Sequence, residues 1–131
     1  MEMQIGFPGG KRVDATYKGF VIRTDQPEAA GGANSAPSPF DLFLASLGTC
    51  SGYYVLAFLE RRGIPSDGVS LSLSATRDEA THRIGEVEIR IRLPRDFPAE
   101  YVDACSRAAG QCAVKAHLES PPSVSVTAER V

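Results

Sequence analysis

Pro39-Phe-Asp-Leu-Phe-Leu-Ala-Ser-Leu-Gly-Thr-Cys50-Ser-Gly-Tyr-Tyr-Val-Leu-Ala-Phe-Leu-Glu60 is the most apolar helical segment of the chain, and it carries a cysteine at its centre. Ser38 is placed to cap a helix here, Pro39 suits its first position, and Asp41 suits the positive end of its dipole. Gly63 follows Arg61-Arg62 as a stop, with Pro65 beyond. The expected helix therefore runs from about Pro39 to Arg62. Apolar residues surround it on nearly all sides, as in a helix buried in a core or at a subunit interface.

Upstream, residues 1–40 read as extended chain. Phe20-Val21-Ile22 lies within Val13–Thr24, and a hairpin with Lys18-Gly19 near its turn is expected. Ala29 to Pro39, rich in Gly, Ser and Pro, is a loop. Downstream, Val69 to Ala75 and Glu86 to Leu93 alternate apolar and polar residues. They read as an antiparallel hairpin with one wet face, joined through the polar residues Arg77 to Arg83. A second helix starts near Pro98 and runs to Ala109. A break at Gly110 leaves a short helix over Gln111 to Leu118, and Val124 to Thr127 is expected as a last strand after Pro121-Pro122. The element order is α+β.

The chain has 131 residues and 43% hydrophobic composition, the size of a single domain over 1–131 that shares core with a partner subunit. Fourteen basic residues against 16 acidic, without a basic block, argue against a nucleic-acid partner. The stretch Leu42–Leu59, interrupted by Ser46, Gly48, Thr49, Cys50, Ser51 and Gly52, reads as too polar for a membrane span. The first residues lack the basic-then-apolar layout of a signal peptide, so a cytoplasmic location is expected, with three cysteines as thiols.

Two thiols brought together from distant helices can do redox chemistry. The thiolate attacks peroxides, and a second thiol condenses with the resulting sulfenic acid. Cys50 and Cys112 are the candidate pair, although spacing alone favours packing for each of them. Cys105, seven residues before Cys112, reads as a packing residue. An unbroken helix would hold those two about 10 Å apart, too far for a disulfide. No Cys-x-x-Cys or close His pair marks a metal site; His82 falls in a polar turn, and His117 diverges from Cys112. A thiolate in an apolar site calls for a cation, and a guanidinium with a carboxylate can bind and orient a peroxide. Arg12, Arg23, Asp41 and Glu60 are the nearby candidates in sequence, each also readable as a surface charge.

Ala36-Pro-Ser-Pro-Phe-Asp-Leu-Phe-Leu-Ala-Ser-Leu-Gly-Thr-Cys50 closely resembles the signature of the OsmC family, whose members include the organic hydroperoxide reductases. Gln111-Cys112-Ala-Val-Lys-Ala-His-Leu118 resembles the family's second cysteine motif, and Gly9-Gly10 followed by Gly19-Phe-Val-Ile-Arg-Thr-Asp25 fits its front segment. The resemblance implies antiparallel sheets wrapped around long central helices in an intertwined homodimer, with active sites at the interface. It implies a thiol peroxidase of oxidative-stress defence, with Cys50 as peroxidatic and Cys112 as resolving thiol. Its substrate would be an organic hydroperoxide and its reductant a dithiol, lipoyl-like in the hydroperoxide reductases; no cofactor, nucleic acid or membrane is called for. The best-understood members carry a glutamate ten residues before the first cysteine. Phe40 stands there in this chain, Asp41 follows, and Arg12 and Arg23 are the candidates for the paired arginine, Arg23 and Asp41 being the site residues expected beside the cysteines. The rival expectation is a non-catalytic protein holding an apolar ligand at the dimer interface. A hot-dog-type thioesterase ranks last, because Cys50 occupies the helix middle and the carboxylates lie at its ends.

Overall fold

The computed structural model describes residues 1–131, in two compact units, Met1–Ala45 and Ser46–Val131. The first unit is built on an antiparallel sheet of β1 (Gln4–Gly9), β2 (Arg12–Tyr17) and β3 (Phe20–Thr24), in the order β1-β2-β3. The expected hairpin turns at Lys18-Gly19, where both residues take positive φ, 51° and 79°. That is the backbone of a type I′ turn, whose twist matches the strands on either side. Tyr17 then faces Phe20, and Asp14 faces Arg23, across the ladder. The leading strand β1 adds a third row that periodicity did not mark, because its residues are exposed throughout.

Asp25 organises the loop that follows. Only 1% of its surface is exposed. Its carboxylate accepts hydrogen bonds from Gln26 N (2.8 Å), Ser35 N (3.0 Å) and Ser35 Oγ (2.6 Å). These donors, the Ser35 hydroxyl foremost, lower its pKa to about 2. The loop closes so tightly that a Cβ on Gly32 would stand 1.9 Å from the Gln26 carbonyl oxygen. Only glycine fits there, for steric reasons alone.

Helix α1 (Pro39–Arg61) follows and crosses from the first unit into the second. Its start is a reciprocal cap, as Ser38 and Asp41 led one to expect. Asp41 N donates to Ser38 Oγ (3.2 Å), and Ser38 N donates to Asp41 Oδ2 (2.9 Å). By length and composition α1 is apolar enough to cross a membrane, with a mean hydropathy of 1.6 over its best window, 28% of it buried. The expectation that its small polar residues make it too polar is corrected on that measure, because Leu, Phe, Tyr and Val outweigh them. Core helices of soluble proteins pass the same test.

In the second unit β4 (Ser70–Arg77) and β5 (Ile84–Arg92) form the expected antiparallel hairpin. Leu71 faces Ile91, Leu73 faces Ile89, and Ala75 faces Val87. These pairs share one face, while the serines, Arg90 and the glutamates lie on the other, as the period of two requires. Val55, Phe58 and Leu59 of α1 meet Phe97, Cys105 and Ala109 in the core, with Leu71, Ile91 and Leu93 packed at its edge. Arg62 lays its guanidinium 3.8 Å from the Phe58 ring centroid and closes one end of that core.

After a 3₁₀ turn over Ala99–Tyr101 come α2 (Val102–Ala109) and α3 (Ala113–Glu119), separated at Gly110 as expected. The short helix begins at Ala113, not at Gln111, because Cys112 has extended backbone (φ −50°, ψ 123°) and stands outside it as the cap. The strand expected at Val124–Thr127 does not form. Residues 121–131 carry no regular structure, and Val124 and Val126 are 82% and 92% exposed. Alternation makes a strand only where a free sheet edge accepts its N–H and C=O groups, and no edge of this chain pairs with it.

Candidate active site: two sulfurs at the start of a short helix

Cys50 lies near the middle of α1, half-buried. Small residues surround it in sequence, and they let other backbone approach. Gly48 leaves room for Leu73, whose Cδ1 would be 3.6 Å from an added Cβ. Cys112 is 1% exposed. Its Sγ accepts a hydrogen bond from Lys115 N at 3.4 Å, the side-chain cap of α3, and faces the Leu47 carbonyl oxygen at 3.9 Å. These contacts hold the start of α3 against the turn of α1 that precedes Cys50.

Cys112 lies close enough to Cys50 to act on its thiol. The Cys50 thiol is pulled below its ordinary range chiefly by the Val114 N–H; burial opposes this, and the Cys112 thiol and the Ala113 N–H add to the lowering. All of these are donors to a thiolate. The sequence pointed to a guanidinium for holding the negative charge; the groups that lower the thiol's pKa here include two backbone amides of α3. Cys50, Cys105 and Cys112 are all free thiols. The third behaves otherwise: Cys105 is fully enclosed at 0% exposure, and burial alone pushes its pKa up. A thiol so placed packs and does not attack.

Arg12 pairs with Asp14 at 3.2 Å, and Asp14 Oδ1 is buried without a partner. Arg23 is exposed on β3, and Asp41 is engaged with Ser38 in the helix cap. Glu60 and His82 are exposed; His117 Nδ1 lies 2.6 Å from the Ala113 carbonyl oxygen on the outside of α3. Sequence reasoning missed the main-chain donors at 113–115.

The model of the OsmC-like protein family matches residues 32–127, a span that holds Asp41, Cys50, Cys105 and Cys112 and leaves Arg12 and Arg23 outside. The chain belongs to the OsmC-like family. Solved structures agree on the fold. A protein of Psychrobacter arcticus 273-4, described as a candidate osmotic stress-induced and detoxification response protein, superposes with a TM-score of 0.75 at 22% identity, over 87% of this chain and 85% of that one. An OsmC-like protein from Mycoplasma pneumoniae gives 0.72 at 11% identity, over 92% and 87%. An organic hydroperoxide resistance protein from Elizabethkingia anophelis gives 0.61 at 19% identity, over 92% and 90%. The mixed helices and antiparallel sheets are thus those of the OsmC fold. Comparison with curated proteins finds no match.

Proposed function

We propose that this OsmC-like chain is a cysteine-based thiol peroxidase that reduces organic hydroperoxides in the cytoplasm as part of oxidative-stress defence. The observation that carries the reading is the sulfur pair: Cys50, its pKa lowered by amide donors and by a second free thiol, Cys112, which stands at the cap of α3 beside α1. Family membership and the hydroperoxide-resistance protein among the structural relatives support the choice of oxidant.

The steps follow from sulfur chemistry. The Cys50 thiolate attacks the terminal oxygen of the hydroperoxide, the O–O bond breaks, and the alkoxide leaves with a proton from water. Cys50 is then a sulfenic acid. The Cys112 sulfur attacks it; the hydroxide leaves with the Cys112 proton as water, and a Cys50–Cys112 disulfide forms. A dithiol, lipoyl-like by resemblance, returns both sulfurs to thiols through a mixed disulfide. By resemblance we also assign positioning of the peroxide to Arg23 and Asp41. Ile5, Phe7, Phe20 and Val21 stand exposed on the first unit's sheet, which favours a homodimer that covers them.

The test is mass mapping after one equivalent of cumene hydroperoxide. A Cys50–Cys112 link is expected; a Cys105–Cys112 link, or none, counts against the reading. Cys50→Ser should abolish peroxide consumption and leave the fold intact, and full activity in that variant would remove Cys50 as the nucleophile.

A further inference from the structure

Helix α3 has seven residues and no buried side chain. A helix that short is marginal without tertiary packing. Its other supports are an exposed Lys115–Glu119 ion pair at 3.0 Å and the first intrahelical bond, Ala116 N to Cys112 O at 3.0 Å. Exposed pairs of that kind contribute little. The first turn of a helix always leaves N–H groups without partners inside it. In α3 the Cys112 sulfur takes one of them. Cys112 Sγ accepts from Lys115 N at 3.4 Å, and the Val114 and Ala113 N–H groups lower the pKa of the Cys50 thiol.

We propose that α3 is a redox-responsive helix, its first turn capped by the reduced Cys112 sulfur and released when that sulfur joins Cys50 in a disulfide. This rests on the disulfide chemistry of the proposed function. Joining a Cys50 thiolate to a Cys112 thiol gives up two electrons and one proton. The hydroperoxide takes the electrons and, with one more proton from water, becomes alcohol and water. Both sulfurs are then neutral, and a charged acceptor is roughly twice as strong as a neutral one. They must also close to a bond of about 2 Å, which draws Cys112 Sγ towards Cys50 and away from Lys115 N. The oxidised form therefore exposes the main chain of 113–115 to solvent and to whatever dithiol approaches the disulfide. The coupling is reciprocal, since whatever orders α3 favours the reduced pair.

Amide hydrogen exchange on the full chain tests this, with the disulfide made by diamide. That reagent takes two electrons and two protons from a dithiol onto its own N=N bond and needs no peroxidase activity. Amides of residues 113–115 are expected to exchange about tenfold faster or more after oxidation, equivalent to about 1.4 kcal/mol, while α2 and the β4–β5 hairpin keep their rates. Equal protection of α3 in both forms overturns the proposal, as does failure of diamide to link Cys50 to Cys112. Cys112→Ser keeps an effective cap and forms no such link. Its α3 should stay protected with or without diamide, and loss of protection there would also overturn the proposal. Faster exchange after diamide, in a chain that leaves cumene hydroperoxide unreduced, upholds the switch and removes the peroxidase reading.

Discussion

Ala113→Pro removes a single donor from the Cys50 sulfur and little else. Ala113 is the first residue of α3, where proline is preferred because its N–H lies outside the helix ladder. The residue before a proline must be extended, and Cys112 already is, at φ −50° and ψ 123°. Ala113 is exposed, so the ring meets solvent and not core. What disappears is the Ala113 N–H, the weakest of the groups that lower the Cys50 pKa. A hydrogen bond to a charged group contributes about 1.5–3 kcal/mol, and the smaller value applies to the weakest donor. At a fixed pH below the thiol's pKa, the thiolate fraction should then fall about tenfold. Alkylation of Cys50 by iodoacetamide as a function of pH measures it, with Cys112→Ser in the background so that a single thiol of the pair reacts. The profile should move to higher pH with its plateau unchanged, and circular dichroism should show the same helix content. An unmoved profile in a folded protein would refute amide stabilisation of the thiolate and return that role to a side-chain cation.

Two further outcomes follow from groups outside the sulfur pair. Cys105→Ser places a hydroxyl in the apolar core beside Phe58 and Phe97, and an unsatisfied buried polar group costs about 1–3 kcal/mol. Urea unfolding should show that loss while peroxide turnover at low denaturant stays at the parent level; lost turnover in a folded variant would give Cys105 a chemical role. Asp25, with a folded pKa of about 2, lies below the ordinary carboxylate value near 3.8. Its contribution to stability is therefore complete above about pH 4 and disappears as pH falls through about 2. Thermal melts from pH 5 to pH 2 should fall less steeply in Asp25→Asn than in the parent, and parallel slopes would show that the Ser35 and Gln26 donors do not hold the charged form.

Much of this protein was legible along the chain because the signals were local. Ser38, Asp41 and Gly63 mark the ends of α1 through bonds made within one turn. Lys18-Gly19 marks a hairpin by its permitted φ, and the alternation of Leu71, Leu73, Ile89 and Ile91 marks two strands and their shared face. The two cysteine motifs resembled a family before any coordinate was known. Other features depend on partners distant in sequence, and no periodicity encodes those. Val124 to Thr127 alternates like a strand, yet no sheet edge of this chain pairs with it. Nothing local to Asp25 announces that Ser35, ten residues on, closes on its carboxylate.

The amino-acid order determined that two thiols sit on separate helical segments and that a glycine breaks the chain before the second. Tertiary packing decided that Cys112 stands just outside α3, that its sulfur lies against Leu47, 65 residues away, and that the Lys115 amide behind it points at that sulfur. Every non-proline residue carries an N–H, so no residue name announces which amide will hold a charge. Only the path of the backbone in three dimensions aims those dipoles, and here it aims them at sulfur.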